Sequence, residues 1–356
     1  MQKLLLFAAC AAGVCTAADR VVGGPYVVNP AARSATIGWV VETGTVQSGP
    51  DAGKLTRKIP VLRSEKVSMT GLKAGETVYY EIPGDAPATE RTGHFKVAPS
   101  EAADFHFVVF GDTRSRDELH RKIVQGISAT EPDFVLHTGD LVTDGYDSAQ
   151  WPNFFDIERA LLRKTVYFPV LGNHERNNTR FHEFFDVKSP YYSFNWGTAH
   201  FALLDTDIAN WSVSPAERER FWTEQLRWLE EDLKKASKAD FRFLVMHHPP
   251  ITAHTEDAGH VSKETPDLIP LCERYKVTAV FAGHDHNYQH HIKNGVHYIV
   301  TGGGGAPLAN VENPIAGITQ MVEKTEHFVN VRVEKNRAFI EAVGLDGRTL
   351  EKIVLP

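Results

Sequence analysis

Hydrophobic positions in the first hundred residues come in short alternating runs. Ser34 to Val41 alternates around Trp39, with shorter runs at Ile59–Val61 and Lys66–Met69. A turn from Gly71 to Gly75 leads into an aromatic run ending at Tyr80, and His94–Val97 closes the series. Short strands at turn-separated spacing predict a small all-β sandwich. Pro99, Ser100 and Glu101 read as a linker.

The rhythm changes at Phe105. Strands are expected at Phe105–Phe110, Phe134–Thr138, Val166–Leu171, His200–Leu204, Phe241–Met246 and Thr278–Ala282. Between them, amphipathic stretches predict helices at Leu119–Ile127, Phe154–Leu162, Pro215–Ala236 and Leu268–Tyr275. Ser214 before Pro215 reads as an N-cap followed by proline in the first turn. Strands return at Val296–Thr301, His327–Val333 and Ala338–Val343. Alternating strands and helices predict an α/β core.

Five of the core strands run straight into side chains that bind metals. They lead to Gly111-Asp112, Gly139-Asp140, Gly172-Asn173-His174-Glu175, His247-His248-Pro249 and Gly283-His284-Asp285-His286. In open α/β sheets, ligands bind beyond the carboxyl ends of the strands, so these motifs converge on one sheet edge. Carboxylate and amide oxygens together with imidazoles suit Mn, Zn or Fe ions. Two such ions about 3.5–4 Å apart clamp both oxygens of an in-line displacement at phosphorus.

The segments GDTR, GDLVTDG, GNHE, MHHPP and GHDHNY resemble the five motifs of the calcineurin-like metallophosphoesterases. With a β-sandwich in front, the chain resembles the purple acid phosphatases. The Leu72–Tyr80 segment also resembles the tyrosine corner of fibronectin type III sandwiches. The fold implied is a two-sheet metallophosphoesterase α/β sandwich over residues 103–356, preceded by a fibronectin/Ig-like sandwich over 19–98. The resemblance implies that Asp112 and His286 bind a first metal, that Asp140 bridges, and that Asn173, His247 and His284 bind a second. It implies a metal-bound hydroxide as nucleophile, with His174 contacting the phosphoryl group and serving as acid toward the leaving oxygen.

Two positions depart from the family pattern. Arg114 stands where many members carry His, and Thr143 where purple enzymes carry their Tyr ligand. No phenolate colour is therefore expected. Tyr146 or water is left to complete the first site, and Arg114 either binds a substrate phosphate oxygen or forms a structural salt bridge. His254 and His260 are candidate substrate contacts. His248 and His137 read as supporting histidines, Glu175 as a residue orienting His174 or a ligand, and Asp205 and Asp207 as turn residues. Tyr288, His290 and His291 are candidates for the pocket rim. The Gly302–Gly305 run reads as a tight turn near the site, and Phe181, Phe184 and Phe185 as core.

Composition changes this picture little. The 356 residues are 42% hydrophobic and 23% charged, with formal net charge −7. That balance leaves no nucleic-acid footprint and no polybasic membrane patch. Lys3, the apolar stretch Leu4–Val14 and the small residues Thr16-Ala17-Ala18 read as a signal peptide over residues 1–18, which implies a secreted or periplasmic protein. Phe7-Ala8-Ala9 before Cys10 lacks the leucine of a lipoprotein anchor. With that segment removed, Cys272 alone remains and no intrachain disulfide is expected. The function expected is hydrolysis of phosphate monoesters of a small substrate by a dinuclear metal site. A phosphodiesterase of the same fold, or a binding protein with a degenerate first metal site, stays open.

Overall fold

The computed structural model describes residues 19–208, 211–254, 265–311 and 313–356. The first part comprises β1 (Arg20–Ala31), β2 (Ser34–Ser48), β3 (Arg57–Thr70), β4 (Thr77–Glu81), α1 (Ala88–Arg91) and β5 (Thr92–Lys96). The next comprises β6 (Phe105–Phe110), α2 (Asp117–Ala129), β7 (Phe134–His137), α3 (Gln150–Leu162), β8 (Val166–Pro169), α4 (Thr179–Phe184), β9 (Tyr192–Trp196) and β10 (Ala199–Leu203). The last comprises α5 (Pro215–Lys235), β11 (Phe241–Met246), α6 (Ile269–Arg274), β12 (Ala279–Ala282), β13 (Tyr288–Lys293), β14 (Val296–Thr301), β15 (Thr319–Glu323), β16 (His327–Glu334), β17 (Arg337–Gly344) and β18 (Thr349–Leu355).

Two sheets face each other. One has nine strands in the order β18-β17-β16-β6-β7-β8-β1-β2-β3, the other seven in the order β15-β13-β14-β12-β11-β10-β9. Strands β6, β7 and β8 are parallel, as are β10, β11, β12 and β14. Parallel strands are covered on both faces, which explains the unbroken apolar run Phe107-Val108-Val109-Phe110. Between the sheets lie Phe107, Phe134, Phe201, Phe243 and Phe281, all fully buried. The Phe107 and Phe134 rings stack with centroids 5.1 Å apart, and truncating either to alanine would cost about 3–5 kcal/mol.

Helices α2 and α3 cover the outside of the first sheet through Ile123, Ile127, Trp151 and Phe155. Helix α5 covers the second through Trp222, Leu229 and Leu233. It starts where the sequence says it should: Ser214 and Glu217 form a capping box, with Pro215 opening the helix. Phe181, Phe184 and Phe185 are buried, as expected.

The N-terminal region is β-rich, as expected, and hydrogen bonds join it to the core. Strand β1 pairs with β2 and also, in parallel through Val27 and Val166, with β8. Strands β1, β2 and β3 thereby extend the nine-stranded sheet, while β4 and β5 pair as a two-stranded ribbon. Tyr26 of β1 stacks on Phe155 of α3 at 5.5 Å, which anchors the junction. Among the described residues, no helix is long and apolar enough to cross a membrane.

Candidate metal centre

The predicted ligands sit just past the carboxyl ends of β6, β7, β8, β11 and β12 and meet across the top of both sheets. Asp112, Asp140 and His247 are fully buried, and Asn173, His284 and His286 are partly buried. Asp112, Asp140 and His284 hold left-handed backbones at φ 57°, 58° and 70°. Such conformations cost energy in non-glycine residues and cluster at functional sites. Close approach also explains the preceding glycines: a Cβ on Gly172 would lie 2.3 Å from Asp140 Oδ1, and one on Gly283 2.5 Å from Asp112 Oδ2. The Gly302–Gly305 run is indeed a turn at the site, with Gly304 N donating to Gly111 O at 2.9 Å.

Three donor atoms crowd together at the second centre. His247 Nε2 lies 2.9 Å from Asn173 Oδ1, while His284 Nδ1 lies 3.1 Å from that oxygen and 3.2 Å from His247 Nε2. Atoms about 2.1 Å from one ion stand about 3–3.4 Å apart, so this set fits a metal. His247 Nδ1 donates to Thr138 O at 2.8 Å, which fixes the tautomer and leaves Nε2 as a ligand atom. His248 packs its ring against His284 at 4.3 Å, and its backbone N–H donates to Thr206 Oγ1. Its ligand atom belongs to the same potential cluster as those of His247 and His284.

The first centre gathers Asp112, Asp140 and His286, whose ligand atoms lie within 4.8 Å of one another. Asp112 Oδ1 is buried with no hydrogen-bond partner, and it lies 3.5 Å from His286 Nε2. An orphaned buried carboxylate oxygen also fits a metal. His286 Nδ1 donates to Pro307 O at 2.7 Å, again freeing Nε2. Arg114 stands between these ligands: its Nε donates to Asp140 Oδ2 at 3.2 Å, and its Nη2 lies 3.4 Å from His286 Nε2. Arg114 has no lone pair to offer, and the Thr143 hydroxyl faces Ser115 Oγ at 3.4 Å. Tyr146 does not complete the site either. It is 59% exposed, lies outside the cleft lining, and carries the Arg176 guanidinium over its ring.

Burial opposes ionisation of Asp140, but His247, His174 and Arg114 outweigh it and hold its pKa below the ordinary value. Burial would lower the His286 pKa, but Asp112 overrides it and raises it.

His174 Nδ1 donates to Thr143 O at 2.6 Å, and its Nε2 lies 3.8 Å from Asp140 Oδ2. Glu175 does not touch the His174 side chain. Its carboxylate accepts from the backbone N–H groups of Gly172, Asp140, Leu141 and Val142 at 2.9, 2.9, 2.9 and 3.3 Å. It thus ties together the loops that carry Asp140 and Asn173.

His254 lines the cleft, and its backbone N–H donates to Thr252 Oγ1 at 2.9 Å. His260 lies outside the described residues. His137 is a satisfied core histidine that accepts from Gly139 N and bonds Thr113 Oγ1, both at 3.2 Å. Asp205 closes a turn by accepting from Asp207 N at 2.9 Å. Tyr288, His290 and His291 are buried on β13 rather than at the rim. His290 bonds Glu351 and His297, each at 2.9 Å.

Residues 104–288 match the description of the calcineurin-like phosphoesterases. The chain belongs to that family. Its fold is similar to that of the purple acid phosphatase from yellow lupin seeds, with a TM-score of 0.72 at 18% identity, covering 93% of this chain and 73% of that one. The chain is 24% identical over 307 residues to mouse acid phosphatase type 7, covering 78% of this chain and 67% of that protein. It is 26% identical over 222 residues to a barley nucleotide pyrophosphatase/phosphodiesterase, covering 51% of this chain and 60% of that protein. The chain thus spans about 60–67% of the length of these two relatives.

For a calcineurin-like phosphoesterase, the motif reading leaves out several contributors to the cleft. Asp285, between His284 and His286 in the chain, accepts from Thr252 Oγ1 and, at 3.2 Å, from Gln289 Nε2. Burial raises its pKa. The carbonyls of Thr138, Thr143 and Pro307 orient three histidines, and backbone groups leave no mark in a side-chain motif.

Proposed function

We propose that this protein is an exported phosphatase that hydrolyses monoesters of a small phosphorylated substrate with two metal ions of the Mn, Zn or Fe type. The observation that carries this reading is the meeting of six ligand side chains from five strand ends in two clusters. Asp140 reaches both clusters: its Oδ1 lies 3.6 Å from His247 Nε2, and its ligand atom groups with Asp112 and His286. The second centre would be held by Asp140, Asn173, His247 and His284, and the first by Asp112, Asp140 and His286. Bound there, the ions supply a water of lowered pKa and neutralise charge on the phosphoryl group.

The protein's own groups then have distinct tasks. His174, oriented by Thr143 O, presents Nε2 to the cleft as proton donor to the leaving oxygen. Arg114 contributes a fixed positive charge beside Asp140 and reaches a non-bridging phosphoryl oxygen. The cleft of about 190 Å³ lined by Arg114, Asp140, Asn173, His174 and His286 accommodates a phosphoryl group, and the acid phosphatase name of the mouse relative favours the monoester reading. The name of the barley relative favours the diester reading. The absence of a fourth protein ligand at Arg114 and Thr143 favours a binding role. Export rests on the residue 1–18 pattern, which lies outside the described residues.

The test is hydrolysis of p-nitrophenyl phosphate and bis(p-nitrophenyl) phosphate by protein reconstituted with each metal, beside Asp140→Asn and His174→Ala. Monoester turnover that both variants reduce is expected. No turnover with any metal, or turnover indifferent to Asp140→Asn, refutes the enzyme reading, and a diester preference shifts it to the alternative.

A further inference from the structure

A second cavity of about 330 Å³ lies beside the metal cleft, and Arg114 is a wall of both. Thr143 also lines this cavity, and its carbonyl orients His174, the proton donor to the leaving oxygen. Arg114, which borders both spaces, is the point from which a substrate seated at the metals extends into this one.

The lining has two textures. Its rim carries Ser115, Asp117, Thr143 and Asn153, which are exposed and bear hydroxyl, carboxylate and amide groups. Asn153 Nδ2 donates to Asp117 Oδ2 at 2.9 Å, which presets the pair. Ser115 is held at φ 79°, a strained backbone for serine. The floor is mainly apolar, with Leu141, Val142, Phe154 and Ile157 buried there beside Thr113 and His120. Asp117 disfavours an anionic leaving group in this space and Arg114 a cationic one. An aliphatic chain would offer these exposed rim groups no hydrogen bond in place of water. A sugar ring matches both textures, with an apolar C–H face and a belt of hydroxyls.

We propose that this cavity is a leaving-group subsite for a neutral sugar or cyclic polyol, so that the substrate is a sugar monophosphate. The proposal rests on the phosphoesterase reading above. Its test compares glucose phosphate esterified at the primary hydroxyl with cyclohexylmethyl phosphate. Both leave as primary alkoxides of similar shape and differ in ring hydroxyls. The metal-loaded wild type should favour the sugar ester by about tenfold or more in kcat/KM. Asn153→Ala and Asp117→Asn should each erode that preference while leaving p-nitrophenyl phosphate turnover within about twofold of wild type. Equal kcat/KM for the two esters in the wild type, or a preference that survives both variants, overturns the subsite. Loss of p-nitrophenyl phosphate turnover in the wild type itself overturns the phosphoesterase reading and the subsite with it.

Discussion

Glu175→Gln is the change whose effect follows most directly from the site's construction. The Glu175 carboxylate is fully buried and accepts four backbone N–H groups from two separate loops. Burial and the neighbouring Asp140 carboxylate raise its pKa, while the four amides favour the ionised form. Glutamine keeps the size but replaces one acceptor oxygen by an NH2 group. Whichever way the amide turns, two backbone N–H groups then face a donor. Leaving a buried N–H without an acceptor costs about 1–3 kcal/mol, so two of them cost about 2–6 kcal/mol. That is a large part of a typical folding free energy of about 5–15 kcal/mol. Urea unfolding of the two proteins, followed by fluorescence, measures it directly. The midpoint should fall strongly, and metal affinity should fall with it because Asp140 and Asn173 lose their common tether. An unchanged midpoint would refute the tether argument.

Three further outcomes are expected. His174→Ala should lower kcat by about a hundred- to ten-thousand-fold with metal content retained, and a kcat near wild type would remove His174 from the chemistry. Arg114→Ala should lower kcat/KM by about ten- to hundredfold, as loss of a charge-assisted contact does, while unchanged kcat and KM would reduce the residue to a structural partner of Asp140. Burial, then Asp207, pushes the Asp205 pKa up to about 8 from 3.8, so the folded state favours the neutral acid. The resulting penalty is absent below the ordinary carboxylate range, grows as pH rises toward 8 and then levels off. Asp205→Asn, which keeps the acceptor for Asp207 N, should therefore raise Tm at pH 8 and leave it nearly unchanged near pH 4; a gain independent of pH would contradict this.

The site was far more legible than its surroundings. Parallel core strands are apolar throughout and end abruptly in glycine and ligand residues, so their boundaries and convergence can be read from local pattern. Strand β13 hides because its buried residues are Tyr288, Gln289, His290 and His291, whose polar atoms are satisfied by distant partners such as Glu351 and Thr319. Strand β1 is broken by Gly23-Gly24-Pro25 and Asn29-Pro30, and its pairing with β8 spans more than a hundred residues of sequence. No local periodicity encodes such a long-range union. Tyr146 was a reasonable candidate from loop proximity alone, but backbone hydrogen bonds with Asp144 and Arg180 and the Arg176 stack hold it at the surface. Glu175 is expected to orient His174 or a ligand side chain, but its partners are peptide groups, which sequence does not display.

Metal content per chain tests the central claim most directly. After reconstitution and removal of free ions, elemental analysis of the wild type should give two ions per chain. His247→Ala should empty the second centre and His286→Ala the first, each leaving about one. A wild type that retains no ion, or a content that neither substitution lowers, would contradict the account of two clusters built for metals.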